Sequence, residues 1–361
     1  MSFKIFITAN IGDEALRRLG EKGYELDVYD RLESPPKSYI KKKIQEGFDA
    51  IITNLRDNID EEVITAGRER LRIIAQDSAG IDNIDMAAAN RYRIPVSNTQ
   101  DVLTEAVAEF ALFAMGNMSR HQYPSERLVR EGMWDGWHPF HPFLGREIYS
   151  STVGVIGTGK IGKSFIKKLL GLDVNILMYS RTKDRDFEEN CRNIMEVYYN
   201  AGFSEKRRTI KYCSLGVLLK NSDIISLHLP LIKKGKDSTF HMISRKEFSL
   251  MKKGVCIVNT SRGSIIDEPE LINALRDGRV EMAALDVFEK EPLPPDSPLL
   301  SEDLSRRVRV FHHFASGGRI TRLSLDRDRG MAGRCIYSLI SILEGKNPAD
   351  IPYIVNRHLF L

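Results

Sequence analysis

Val153-Gly-Val-Ile-Gly-Thr-Gly-Lys-Ile-Gly162 is a short apolar run that breaks into a G-x-G-x-x-G turn at Gly157, Gly159 and Gly162. Glycine has a physical task at each place: the first permits the tight turn, the second lets a pyrophosphate approach bare backbone, and the third lets a helix pack on the strand. The context supports that use. Ile161, Phe165, Leu169 and Leu170 recur at helical spacing, and Val174 to Tyr179 supplies a second buried strand. The result is strand, turn, helix, strand, with free N–H groups and partial positive charge at the helix start for a diphosphate. Thr158, Lys160 and Ile161 complete the predicted cofactor turn.

The end of the second strand bears on which dinucleotide is bound. An NAD site places a carboxylate there to accept from the ribose 2′-OH, whereas an NADP site offers cations to a 2′-phosphate. Here the chain reads Tyr179-Ser-Arg-Thr-Lys183, with no carboxylate before Asp184. Ser180, Arg181 and Thr182 can donate to a phosphate, and Lys183 adds charge. The reading favours NADPH, with NADH as the alternative and a solvated basic loop as the plain structural explanation.

The 361 residues suffice for two domains. Lys and Arg number 53 against 49 Asp and Glu, with no long basic block, so nucleic acid is not an expected partner. Cys191, Cys213, Cys256 and Cys335 fall in no metal-ligand or C-x-x-C spacing, which makes a reduced, cytoplasmic protein without a metal the expectation. No apolar run approaches membrane-spanning length, and the first residues look like a strand rather than a signal peptide.

Strands are predicted at Ile5 to Thr8, Glu25 to Tyr29, Ala50 to Asn54, Arg72 to Ala75 and Pro95 to Ser97, alternating with helices in one parallel-sheet domain. A long helix over 104–118, apolar on the face of Val107, Phe110, Ala111, Ala114, Met115 and Met118, should cross into a second domain. Strands Ile224 to Leu229, Val255 to Thr260 and Ala283 to Val287 extend that domain's sheet, and Asp267-x-x-Glu270 reads as a capping box. A last helix buries Met331, Cys335, Ile336, Leu339, Ile340 and Leu343. The fold class is therefore α/β, with two Rossmann-like or flavodoxin-like parallel-sheet domains: a cofactor domain over 103–318 inserted in a substrate domain split into 1–102 and 319–361, with a ligand cleft between them.

Three residues could do chemistry. Arg262, in Asn259-Thr-Ser-Arg-Gly263, follows a buried strand and suits a carboxylate; Glu291 and a histidine of Phe311-His-His-Phe-Ala-Ser316 could pair, since a carboxylate beside an imidazole favours the protonated ring. Such a ring is a general acid. Singly, each has a plain structural reading as a helix cap, a surface carboxylate or a half-buried ring.

With their neighbours, these residues make the chain resemble the D-isomer-specific 2-hydroxyacid dehydrogenase family over nearly its whole length. The resemblance is carried by Ser78-Ala-Gly-Ile-Asp-Asn-Ile-Asp85, Val107-Ala-Glu-Phe-Ala-Leu112, Thr152 to Gly162, Asn259 to Gly263 and Ala284-Leu-Asp-Val-Phe288 through Glu291-Pro292. Gly132-Met-Trp-Asp-Gly-Trp137, leading to Ser151-Thr-Val-Gly, looks most like the glyoxylate/hydroxypyruvate reductases. The resemblance implies hydride exchange with C2 of a small 2-oxo or 2-hydroxy acid. It assigns Arg262 to the substrate, His313 to proton transfer and Glu291 to orienting it, Ala79, Gly80 and Ile81 to the substrate loop, and Asp286 to the nicotinamide carboxamide. Asn54, Leu55 and Arg56 join the substrate set, and Leu229, Pro230, Thr260 and Ser261 the cofactor set.

Two departures stand out. The family's Pro before the catalytic His is replaced by His312, so His313 is preferred on the Phe-Ala-Ser-Gly that follows. Residues 184–212 also look longer than the usual link; Glu188 to Asn200 could add a helix and Lys206 to Lys211 could sit near the adenosine end. In the resembling reductases the aromatic segment 120–150 forms an arm embracing a second subunit, with Trp137, or Trp134, near the partner's substrate. A homodimer is therefore expected. A phosphorylated-substrate dehydrogenase using Arg56, or a dinucleotide-sensing corepressor-like interaction protein, would fit the same fold.

Overall fold

The computed structural model describes residues 2–140 and 143–361. Its contacts gather into two compact units: Met1–Thr104 with Ser316–Leu361, and Glu105–Ala315.

In the first unit the sheet contains β1 (Lys4–Ile7), β2 (Glu25–Val28), β3 (Ala50–Thr53), β4 (Ile73–Gln76) and β5 (Val96–Ser97). The order is β2-β1-β3-β4-β5, with every neighbouring pair parallel. A sheet covered on both faces needs continuous apolar strands rather than alternation, and Ala50-Ile-Ile-Thr53 and Ile73-Ile-Ala-Gln76 are buried throughout. One face packs Ile5, Ile7, Ile52 and Ala75 against Cys335, Ile336 and Leu339 of the helix Met331–Leu343. The other packs Phe6, Ile51 and Ile74 against Ile40, Ile44 and Ile64. Each such side chain contributes about 1.5–3 kcal/mol by leaving water.

The second unit carries β6 (Thr152–Ile156), β7 (Asn175–Tyr179), β8 (Ile210–Tyr212), β9 (Ile224–Leu227), β10 (Val255–Asn259), β11 (Val280–Leu285) and β12 (Val308–Val310). They form one parallel sheet in the order β12-β11-β10-β9-β6-β7-β8. Chain direction across the sheet reverses between β6 and β9, the kind of switch point where open α/β sheets bind ligands at the carboxyl ends of their strands. The helix Thr104–Ser119 buries Ala108, Ala111, Met115 and Met118 against Val153, Val155 and Phe165. Among the described residues no helix is long and apolar enough to cross a membrane, no group of side chains could hold a metal ion, and all four cysteines are free.

Three local expectations need correction. The sequence reading found five strands of the second sheet; β8 and β12 were missed because each is a three-residue edge strand with Lys211 or Arg309 at its centre. The capping box at Asp267 is only half formed: its carboxylate accepts the Glu270 N–H at 3.5 Å, but its own N–H donates to the Ile243 carbonyl at 2.9 Å. The reciprocal box belongs to Ser244 and Glu247. The basic stretch Lys206 to Lys211 does not reach the carboxyl edge of the sheet, because β8 runs parallel to β7 with Ile210 opposite Ile176. Residues 206–209 therefore precede β8 at the amino edge, where Arg208 grips Asp173 at 2.7 and 2.8 Å and Arg207 pairs with Glu196 at 3.0 Å. The predicted extra helix does form, beginning at Arg185 because Asp184 caps the Phe187 N–H.

Asp77, directly after β4, yields a stability prediction. Its Oδ1 is sealed from solvent without a hydrogen-bond partner, and burial pushes the carboxyl up to about 6 against the lowering influence of Arg322. A carboxyl raised from 3.8 costs nothing below its unfolded value and its full penalty above about 6. Asp77→Asn should stabilise the protein by on the order of 1–3 kcal/mol at pH 8 and leave it unchanged near pH 3.5. Urea unfolding at the two pH values checks this, and equal effects at both would exclude the charge as the cause.

Candidate active site

The Gly-rich turn leaves the carboxyl end of β6 at the switch point. Gly157 has φ +97°, and a Cβ there would stand 2.4 Å from the His228 carbonyl oxygen; one on Gly162 would stand 1.9 Å from the Gly157 oxygen. A Cβ on Gly159 would meet nothing within 4 Å, so its backbone faces open space. The helix Lys160–Leu169 that follows has no side-chain cap, which leaves its first N–H groups for an anion. Thr158 is fixed by a 2.9 Å bond between its hydroxyl and Tyr212, whose hydroxyl also accepts the Asp184 N–H at 3.3 Å, while Lys163 pairs with Asp184. Beneath the turn, burial lowers the His228 pKa to about 3, and the neutral ring bonds Ser226 at 2.9 Å.

The other expected cofactor residues follow neighbouring strands. Leu229 and Pro230 come after β9, and Thr260 and Ser261 after β10. Ser261 donates twice to Asn259 Oδ1, at 3.0 and 2.8 Å, whereas the buried Thr260 hydroxyl has no partner. An orphaned hydroxyl after β10 and an uncapped helix start after β6, on the same edge of the sheet with β9 between them, fit a polar dinucleotide. Ser180, Arg181 and Thr182 lie past the carboxyl end of β7, next to β6. Arg181 pairs with Asp237 at 3.2 Å, both side chains about half exposed. The sequence reading missed Asp237, which lies 56 positions along the chain from Arg181 and belongs to no recognisable motif.

Arg262, Glu291 and His313 are brought together within the second unit. Glu291 Oε2 lies 2.7 Å from His313 Nδ1, and its Oε1 accepts the Phe288 N–H at 3.0 Å. Burial alone would raise the Glu291 pKa, but the His313 hydrogen bond and charge, the Phe288 N–H and the Arg262 charge together carry it below the ordinary value. The carboxylate therefore stays ionised and accepts from Nδ1, which leaves Nε2 on the side of the ring away from it. His312 instead stacks on Phe314, with centroids 4.8 Å apart. His313 has φ +55°, a left-handed conformation that is rare for a residue with a Cβ. Asp286 holds that turn, accepting the N–H groups of Phe314 at 2.7 Å and Ala315 at 2.9 Å. Arg262 donates to the Ser261 carbonyl at 2.7 Å, and its own carbonyl accepts from Asn259 at 3.0 Å.

In the first unit, Asn54 to Arg56 follow β3 and Ala79 to Ile81 follow β4, adjacent strands whose carboxyl ends share one edge. Asn83 ties the two loops, donating to the Asn54 and Asp57 carbonyls at 3.0 and 2.8 Å. The Arg56 guanidinium is engaged by the Leu32 carbonyl at 2.6 Å and Asn54 Oδ1 at 3.3 Å. In the aromatic segment, Trp134 is 60% exposed, Trp137 84% and Phe140 82%; His141 and Pro142 lie outside the described residues.

Residues 112–315 match the profile of the D-isomer specific 2-hydroxyacid dehydrogenase, NAD binding domain. The chain belongs to this family. A glyoxylate reductase of Aeropyrum pernix is 38% identical over 360 residues, covering 99% of this chain and 96% of that protein. A crystal structure of a Thermus thermophilus protein superposes with a TM-score of 0.82 at 31% identity, covering 98% of this chain and all of the other. The NADPH-dependent glyoxylate/hydroxypyruvate reductase of Sinorhizobium meliloti, solved with citrate, gives a TM-score of 0.75 at 25% identity, with 98% of each chain covered. This 2-hydroxyacid dehydrogenase is thus an NAD(P)-dependent oxidoreductase acting on small 2-oxo or 2-hydroxy acids.

Proposed function

We propose that this dehydrogenase is an NADPH-preferring reductase of glyoxylate and hydroxypyruvate to the corresponding hydroxy acids, the latter of D configuration. The observation that carries the reading is the 2.7 Å pairing of Glu291 with His313 Nδ1, which leaves the opposite ring nitrogen to deliver a proton. A bound nicotinamide supplies the hydride. Arg262 holds the substrate carboxylate and polarises the carbonyl; His313 protonates the resulting alkoxide; Glu291 keeps the ring oriented. Asn54 to Arg56 and the N–H groups of Ala79, Gly80 and Ile81 are assigned to substrate, and Asp286 to the nicotinamide end. Turnover of NADPH with a panel of 2-oxo acids, ranked by kcat/KM, tests the reading; no turnover with any of them would overturn it.

The cofactor preference is supported by Ser180, Arg181 and Lys183 and by the absence of a carboxylate before Asp184. The Arg181–Asp237 pair is exposed, and such pairs are worth about 0–1 kcal/mol, so a 2′-phosphate can take the guanidinium from Asp237. Arg181→Ala should therefore narrow the gap in kcat/KM between NADPH and NADH, by about tenfold for one lost charge-assisted contact. A wild-type enzyme that prefers NADH would overturn the assignment.

A homodimer is proposed from Trp134, Trp137 and Phe140, since exposed large apolar side chains gathered along one segment mark interfaces. Trp137→Ala should change KM for the 2-oxo acid more than the affinity for NADPH. Sedimentation and steady-state kinetics check both: a fully active monomer at micromolar concentration would refute the shared arm.

A further inference from the structure

A second imidazole–carboxylate pair lies beside the first. His241 Nε2 bonds Glu289 Oε1, and Glu289 is two residues before Glu291. The His241 backbone is held as well: it takes φ +49°, and its N–H donates to the Ser264 carbonyl at 2.8 Å. The Phe240 ring stacks on the imidazole with centroids 3.9 Å apart and planes at 16°. On the other side of the turn, the Glu289 N–H donates to Glu268 Oε2 at 3.3 Å. Glu289 is therefore fixed from both its side chain and its backbone.

Carboxylates gather around this histidine. Glu268 and Glu289 are close enough for the Glu289 charge to add to burial in raising the Glu268 carboxyl, against the lowering by the Glu289 N–H. Asp267 Oδ2, 3.8 Å from His241 Nδ1, is already bonded to the Ser244 hydroxyl at 2.8 Å. His241 thus lies against two carboxylates, Glu289 and Asp267, and the Glu289 turn is pressed against the chain just after Arg262. A Cβ on Gly263 would fall 1.9 Å from the Phe288 carbonyl carbon and 2.5 Å from the Glu289 nitrogen. A shift of the Phe288–Glu289 backbone therefore moves both the Phe288 N–H that holds Glu291 and the chain packed against Gly263, next to Arg262.

We propose that His241 is a positioning residue: through Glu289 it locks the Phe288–Glu291 turn, so that Glu291 meets His313 and Arg262 at fixed distance. The effect on turnover rests on the reading of Glu291 and His313 as the proton-transfer pair; the effect on the turn does not. Misplacing a catalytic group by about 1 Å can cost up to about 10²-fold in rate.

The test uses His241→Ala, His241→Gln and Glu291→Gln singly, and His241→Ala combined with Glu291→Gln, in the full-length enzyme. Hydrogen exchange of the 286–292 peptide should quicken in His241→Ala and return toward wild type in His241→Gln, whose amide can still donate to Glu289. With NADPH and glyoxylate, kcat should fall about tenfold in His241→Ala, with NADPH affinity and melting temperature near wild type. Added to Glu291→Gln, the substitution should cost nothing further, because the group it positions is already disabled. Unchanged exchange, or the same tenfold loss in the Glu291→Gln background, would overturn the positioning role. Quickened exchange with full turnover in Glu291→Gln would instead overturn the proton-transfer reading and leave the lock standing.

Discussion

His313→Asn is expected to lower turnover by about 10²–10⁴-fold while NADPH still binds, the usual scale for loss of a positioned general acid. The asparagine amide can occupy the place of Nδ1 and still donate to Glu291 Oε2, now 2.7 Å from the ring, but it carries no second nitrogen to hand a proton onward. The loss should therefore fall on kcat. His312→Asn provides the internal comparison: that ring stacks on Phe314 and pairs with no carboxylate among the described residues, so its removal should cost no more than a few-fold. Steady-state kinetics with NADPH and glyoxylate, and cofactor binding followed by nicotinamide fluorescence, measure the two halves separately. If the two histidines exchange phenotypes, the proton donor is His312; if neither matters, proton delivery belongs to solvent or another group.

What the sequence made legible was whatever depends on short-range periodicity or on a backbone constraint. Continuous apolar runs such as Ala50 to Thr53 and Val255 to Asn259 can only be strands buried on both faces, and they are. Gly157 and Gly162 announce a turn too tight for any Cβ, which the distances of 2.4 and 1.9 Å make plain. The edge strands β8 and β12 were not legible, because three residues with a cation in the middle carry no period. Long-range pairings were equally hidden. Glu291 and His313 were matched through ordered motifs, but nothing in Phe240-His-Met242 announces Glu289, 48 positions on, and nothing in the loop after β9 marks Asp237 as the partner of Arg181. The placement of Arg207 and Arg208 was hidden for a related reason: the insertion that carries them could be set near the adenosine end on sequence alone, whereas strand direction puts them at the amino edge with Glu196 and Asp173.

Arg262→Lys is expected to remain severely impaired, with kcat/KM down by about 10²-fold or more even though the charge is kept. A planar guanidinium can meet a carboxylate through two parallel N–H bonds, and an ammonium offers only a point charge on a flexible stem. The surroundings of Arg262 make the difference larger. Its Nη1 donates to the Ser261 carbonyl at 2.7 Å, which fixes the plane of the fork, and Asn259 holds its backbone through a 3.0 Å bond to the Arg262 carbonyl. A lysine would keep the backbone contact but lack the planar group whose bond to Ser261 fixes the fork. The Arg262 charge also helps keep Glu291 ionised, and a lysine placed elsewhere would supply less of that influence. The defect should therefore appear in both KM for the 2-oxo acid and kcat, with cofactor affinity unchanged. Arg262→Ala with added guanidinium gives a second measure: partial recovery of turnover identifies the fork as the missing element. Near-normal kinetics in Arg262→Lys would show that charge alone suffices and would remove bidentate recognition from the mechanism.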